Sequence, residues 1–277
     1  KMKKLSDKGL NTLLWAIAIC ITIALVIYQR STGPTYPLGG EILIEGELIN
    51  FELIRTFGGD RDALVRLNVP NNDINGTITL KRYKSYDDWS SEEMFRDGNE
   101  LVGVIPNQPM AGKVEYFITL KKNNTEYELT VDPVVIRFKG EVPRSILIPH
   151  IFFMFMSLLF SLRVGLEVFF RKKDTKYFTG VVLFTLFLGG LLMGPLVQKY
   201  AFDAYWTGWP FGHDLTDNKT LIVFIFWVIA WFVLRKKPKN ILWPMIAVIA
   251  MLIVYAIPHS VLGSEIDHTK QQTEKIK

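Results

Sequence analysis

Residues 177–198 read YFTGVVLFTLFLGGLLMGPLVQ, a stretch with no charged side chain. A hydrocarbon core about 30 Å thick needs roughly 20 helical residues to cross it, and this stretch is long enough. Four others share its character: 10–29 (LNTLLWAIAICITIALVIYQ), 145–162 (SILIPHIFFMFMSLLFSL), 220–234 (TLIVFIFWVIAWFVL) and 240–264 (NILWPMIAVIAMLIVYAIPHSVLGS). Segment 220–234 is short, but it extends back to Leu215 if Lys219 and Arg235 snorkel toward the interfaces. Helices apolar on every side point to membrane spans rather than to the buried helices of a water-soluble core.

Between the first two spans the pattern changes to period two. Expected strands run over 41–44, 48–55, 63–69, 77–83, 100–105, 113–121, 126–129 and 134–138. Turn signals separate them: Gly39-Gly40, Gly58-Gly59, Asn71-Asn72-Asp73, Asn75-Gly76, Asp97-Gly98, Ala111-Gly112 and Asn123-Asn124. Short strands at this density predict a sandwich. The expected architecture is a membrane protein in four parts. These are a signal-anchor helix (1–30), an extracytoplasmic all-β sandwich (31–143), a C-terminal four-helix transmembrane bundle (144–264) and an outer tail (265–277).

Lys and Arg set the orientation. Segments 1–9, 163–176 and 235–239 carry 13 basic residues against Asp7, Glu167 and Asp174, whereas 31–143 holds 12 basic and 18 acidic residues. This bias predicts a cytoplasmic N-terminus and an outer C-terminus. It also accounts for the net charge of +5 without nucleic acid as a partner, since each basic cluster abuts a span. The first span begins basic like a signal peptide. Its apolar part is too long for a typical signal core, and YQRSTGP offers no A-x-A-like cleavage site, so it reads as an uncleaved anchor. A single Cys excludes a disulfide framework, multi-Cys metal sites and CxxCH haem attachment. Absent disulfides and processing signals point to a bacterial inner membrane, with the sandwich in the periplasm.

The segment Pro109-Met-Ala-Gly-Lys-Val-Glu-Tyr-Phe-Ile-Thr-Leu120 resembles a late strand of a fibronectin type III or immunoglobulin-like domain. That resemblance covers the outer domain and implies binding or spacing; fold alone does not fix function. The segments WTGWPFGHDLTDNKT (206–220) and PHSVLGSEIDH (258–268) resemble a group of uncharacterised bacterial membrane proteins, to which no activity attaches.

No nucleophile–base set appears in the outer domain, which lacks His and Cys. In YDDWSSEEMF (86–95) the paired carboxylates fit no ligand loop, and the segment reads as a solvated loop with Trp89 anchored on the sandwich. All four His (150, 213, 259 and 268) fall on the outer side, near Asp203, Asp214, Asp217, Glu265 and Asp267. Two accounts compete there. In the structural one, Trp206, Trp209 and Phe211 belong to an interfacial aromatic belt, and Thr216 or Asp217 caps the fourth span. In the other, His213, Asp214, Asp217, His259 and Glu265 converge on a transition metal or a shallow haem b, although H-x3-H and HExxH spacings are missing. A small-solute transporter is the third class, and carriers place charge inside the bilayer. Here only Arg163 and Glu167 come close, at the inner rim and spaced to pair at i, i+4. The favoured expectation is a non-catalytic accessory or assembly subunit without a cofactor. Its partners are the lipid bilayer and other membrane or periplasmic proteins, met through Trp89 and the rim aromatics. The loop 205–218 is expected to fold over the outer bundle end and meet 258–267.

Overall fold

The computed structural model describes residues 6–258, 261, 263 and 265–270. The chain divides into two compact units. The helical unit takes in Lys1–Pro34, Val142–Tyr200 and Ala204–Gly263. The β unit takes in Thr35–Glu141, Ala201–Asp203 and Ser264–Lys277.

Helix α1 spans Asp7–Ser31. The Ser6 hydroxyl accepts the Gly9 N–H at 3.1 Å, which satisfies one of the free amides at the helix start. Helix α2 spans Arg144–Phe170 with Pro149 in its second turn. Its C-terminal turn is closed by Glu167, whose carboxylate accepts the Lys173 and Asp174 amides at 2.9 and 3.1 Å. Next come α3 (Thr175–Leu186), a π-helical segment (Phe187–Met193) and α4 (Gly194–Phe202), which together make one apolar rod. Helix α5 spans Leu215–Lys236, reaching back to Leu215 as expected, with Lys219 buried rather than extended outward, and α6 spans Leu242–Ala256. Among the described residues, four helical stretches are long and apolar enough to cross a membrane: α1, α2, α3–α4 and α5. Among the described residues of the expected fifth span over 240–264, the helix is the 15-residue α6, which ends two residues before Pro258.

Trp227 is the largest buried side chain of the helical core, packed with Leu158, Val182, Leu186, Val223 and Met251. Tyr255 of α6 donates its hydroxyl proton to the Met154 carbonyl of α2 at 2.7 Å. Gly189 faces the Met154 backbone and Gly190 faces Thr220, so small residues do admit close helix packing. The outward faces are apolar too: Ile23, Phe152, Phe184, Ile222, Phe232 and Ile253 are all exposed. Such a surface is costly in water and suited to hydrocarbon.

The β unit is sandwich-like. One sheet has the order β3 (Thr56–Gly58), β11 (Val134–Lys139), β9 (Lys113–Lys122), β5 (Ile74–Arg82), β6 (Ser90–Glu93), and β10 (Thr125–Glu128) also pairs with β9. The second sheet has the order β4 (Ala63–Asn68), β8 (Glu100–Ile105), β7 (Phe95–Asp97), and β1 (Leu38–Ile44) forms a hairpin with β2 (Glu47–Leu53). All pairs are antiparallel except β3 with β11. Val114, Tyr116, Ile118 and Leu120 of β9 point inward at alternate positions, against Val65 and Leu67 of β4 and Ile78 of β5. Tyr116 keeps its buried hydroxyl bonded to the Ile54 carbonyl at 2.9 Å.

Three sequence expectations need correction. Gly39-Gly40 and Asn75-Gly76 lie inside β1 and β5 rather than in turns. A Cβ at Gly40 would collide with the Phe51 ring, and one at Gly76 would sit 2.8 Å from Met94 Sδ. These glycines therefore mark close approach within strands. The third case is YDDWSSEEMF, which is not a loop throughout: Ser90–Glu93 form the edge strand β6. All four residues are exposed, so no burial period announces the strand; it is held by pairing to β5 and by Thr79 Oγ1 to Ser91 Oγ at 2.8 Å.

Candidate functional site

The segment from Tyr205 to Asn218 follows α4 and runs into the first turn of α5, to which its loop backbone is fastened. Asp214 is the N-cap, its carboxylate accepting the Thr216 amide at 2.8 Å. This corrects the expected cap at Thr216 or Asp217. Asp217 is engaged elsewhere: one carboxylate oxygen accepts the Thr207 amide (2.7 Å), the Gly208 amide (3.0 Å) and the Thr207 hydroxyl (3.3 Å). Asn218 Oδ1 accepts the Trp209 amide at 2.6 Å. Within the loop, the Asp214 amide donates to the Thr207 carbonyl at 3.0 Å, and the Phe211 and Gly212 amides both donate to the Gly208 carbonyl at 2.9 Å. Gln198 of α4 donates to the Thr207 hydroxyl at 2.5 Å.

The close seating explains Gly208. A Cβ there would lie 2.6 Å from Asp217 Cβ, so any side chain would push the loop off the helix. Outside the ring of hydrogen bonds, Trp209 is 68% and Phe211 83% exposed, and Tyr205 is exposed too. Trp206 is half-buried, its indole N–H donating to the Trp209 carbonyl at 3.0 Å. The result is a stiff loop that presents large apolar side chains outward.

The five residues expected as metal ligands have separate fates. Asp214 and Asp217 do come together, as helix cap and loop anchor. His213 beside them is exposed and makes no hydrogen bond among the described residues. Glu265 belongs to the β unit, where Lys84 and Lys113 take its two oxygens, the latter at 2.5 Å. His259 lies outside the described residues. No group of three or more His, Cys, Asp or Glu suited to a metal occurs among the described residues. The expected contact between 205–218 and 258–267 involves a segment that lies partly outside the described residues; one residue beyond each segment, Lys219 Nζ donates to the Ile257 carbonyl at 3.1 Å.

His150 and His268 have their own roles. The His150 ring contacts the Gly189 carbonyl through Nδ1 at 2.8 Å; a carbonyl only accepts, so Nδ1 carries the proton. His268 is buried in the β unit, where burial and the nearby Arg82 hold its ring below the usual histidine range. Glu265, three residues before it, is subject to two opposing effects. Burial disfavours its charge, but hydrogen bonds from Lys113 and Lys84 outweigh burial and keep the carboxyl below its ordinary range. Ile266 adds a backbone bond to the Ala111 carbonyl at 3.3 Å, so the segment 265–270 is docked as a strap on the sandwich. Trp89 sits on the sandwich as expected, its ring 5.3 Å from Phe117 and 4.8 Å from Lys81 Nζ, while staying partly exposed. Asp87 is paired with Arg82 at 2.6 Å.

Sequence reasoning underrated one cluster. Arg163 and Glu167 do pair at the expected i, i+4 spacing, 2.7 Å apart, and both side chains are fully buried in the protein. Arg163 Nη2 and Arg171 Nη1 donate to Asn11 Oδ1 of α1 at 2.7 and 2.6 Å. The Arg163 guanidinium lies 5.4 Å from the Trp15 ring and 5.0 Å from the Phe178 ring. The i, i+4 spacing signals the pair; nothing in the sequence signals Asn11.

Compared with family models, curated proteins and solved structures, the chain matches none.

Proposed function

We propose that the chain is a five-span accessory or assembly subunit of a bacterial inner membrane that docks partner proteins on its periplasmic side. The observation that carries this reading is the rim loop. Its backbone is fixed by hydrogen bonds to Asp217 and Asn218, yet Trp209 and Phe211 are left exposed. Rigid aromatic anchors lose little entropy on binding, and such residues dominate protein interfaces. The β unit, read as a fibronectin type III or immunoglobulin-like module, adds a second docking surface around Trp89.

Chain connectivity supports the topology. Ala201–Asp203 and the strap belong to the same β unit as 35–141: Gly140 N–H donates to the Ala201 carbonyl at 2.9 Å, and the Arg137 guanidinium stacks 3.9 Å over Phe202. A polar sandwich lies on one face of a bilayer. Each excursion away from it must therefore cross an even number of times. The first excursion contains α2 and α3–α4; the second contains α5 and α6. This requires α6 to cross, although its 15 residues reach only about 22 Å against a core of about 30 Å. Local thinning and the apolar flanks of α6 make up the difference.

A photo-crosslinking residue at Phe211, activated in native membranes, tests the docking reading. A discrete protein adduct is expected, and Asp217→Ala should weaken it by unfastening the loop. Adducts to lipid alone would contradict partner docking and leave the loop as an interfacial anchor.

A further inference from the structure

The end of the helical unit that carries the α2–α3 and α5–α6 turns holds an excess of uncompensated positive charge. Its acids are already matched inside the protein. Asp7 pairs with Lys173 at 2.9 Å and Arg171 at 3.4 Å, Glu167 with Arg163 at 2.7 Å, and Asp174 with Arg171 at 3.4 Å. Lys172, Lys176, Arg235, Lys236, Lys237 and Lys239 are all exposed, and none forms an ion pair among the described residues. Lys176 Nζ lies 5.9 Å from the Trp231 ring, which brings the α3 and α5 cations to one end. Lys237, Pro238, Lys239 and Asn240 line an open cleft at the same end.

A second feature decides what kind of anion fits. Phe169, Phe170, Tyr177 and Leu242 lie beside these cations in sequence, at the ends of α2, α3 and α6, and are 60%, 60%, 68% and 63% exposed. A free inorganic anion has no use for an apolar collar. A phospholipid uses both features, its headgroup on the cations and its acyl chains on the collar. We infer that this end binds the headgroups of anionic phospholipids in the cytoplasmic leaflet. The inference rests on the membrane-crossing part of the proposed function. It is independent of partner docking at the opposite rim.

The test uses the purified full chain. Insertion into phosphatidylcholine vesicles, resistant to alkaline carbonate, comes first; extraction would remove the membrane-crossing reading itself. In detergent micelles, binding of phosphatidylglycerol and of phosphatidylcholine is then compared by native mass spectrometry. Each cation near an anionic surface contributes roughly fivefold in affinity, so a preference of at least about tenfold for phosphatidylglycerol is expected. It should shrink at high salt, as the Debye length contracts. The variant Arg235→Gln/Lys236→Gln/Lys237→Gln/Lys239→Gln should lose most of the preference while keeping the wild-type Tm in phosphatidylcholine. Lys121→Gln, in the β unit, should keep the preference. If the quadruple variant fails to fold, the salt series on the wild-type chain decides. An inserted chain with equal affinity for both lipids, or a preference unmoved by salt, would overturn the inference. So would full competition by inorganic phosphate at the lipid concentration, which would mean a bare anion site.

Discussion

Arg163 and Glu167 form an ion pair one helical turn apart on α2, with Nη1 and Oε2 2.7 Å apart and neither side chain exposed. The approach is close but poorly aligned for a hydrogen bond, and Arg163 Nε has no hydrogen-bond partner among the described residues. Removing one member of a buried pair strands the other charge, which costs about 3–5 kcal/mol. Glu167→Leu should therefore lower Tm sharply. The double variant Arg163→Met/Glu167→Leu should recover the part of the loss due to the stranded charge, while the Lys173 and Asp174 amides still lack Glu167 and Asn11 lacks Arg163. Thermal unfolding in detergent checks both, and a double variant as unstable as the single one would contradict the explanation.

Asn11 accepts from both Arg163 and Arg171, so it links α1 to α2. Asn11→Leu removes the acceptor but keeps the volume. A loss of about 1.5–3 kcal/mol is expected, the usual value for hydrogen bonds to charged groups. Limited proteolysis at the start of α1 should rise in step, and an unchanged cleavage rate would count against the link.

Asp214 and Asp217 divide the work at the rim. Asp214→Ala removes a single cap and should cost about 1 kcal/mol. Asp217→Ala removes the acceptor for two amides and a hydroxyl, so the expected loss is larger, about 2–3 kcal/mol. Hydrogen exchange at Thr207 and Gly208 should accelerate only in Asp217→Ala. The reverse order of effects would mean that the loop is held by something else.

The strap should detach in acid. His268 has its folded-state pKa depressed by burial and Arg82, so its contribution is present above about 6.5 and is lost as pH falls below that. Asp87 and Asp267 also face it and soften this loss. The carboxyl of Glu265 is likewise depressed, so its contribution is present above 4.5 and is lost as pH falls through the folded value. Lys84, raised by its hydrogen bond to Glu265, gives the opposite limit: its contribution is lost only as pH rises through a value above 10.5. Exchange protection at Ile266 and Thr269, read between about pH 8 and about pH 2, should fall in two stages. Glu265→Gln should abolish the second stage, and protection flat across that range would refute the scheme.

Much of the architecture was legible because apolar length and strand alternation are local signals. The long apolar helices α1, α2, α3–α4 and α5 and the inward positions of β9 follow from counting residues. What the sequence hid depends on contacts between distant positions. Gly40 and Gly76 read as turn residues because nothing local announces the Phe51 ring or the Met94 thioether that occupies their missing side chains. The edge strand β6 has no buried face to leave a period. At the rim, the acidic residues next to α5 were visible as a cluster. That Asp217 reaches back to Thr207 and Gly208, leaving Asp214 as the cap, depends on the loop conformation. Glu265 looked like a rim ligand by its nearness to span five, yet its partners Lys84 and Lys113 lie over 150 positions earlier.

The five-crossing path is the central claim, and α6 is its weakest step. Single cysteines at Ser90, Lys236 and Lys270, placed in a Cys20→Ser background and probed in intact cells with a membrane-impermeant thiol reagent, test it directly. Ser90→Cys and Lys270→Cys should both label from outside, and Lys236→Cys only after the membrane is opened. External labelling of Lys236→Cys, or Lys270→Cys protected while Ser90→Cys reacts, would contradict the crossing of α6 and the topology built on it.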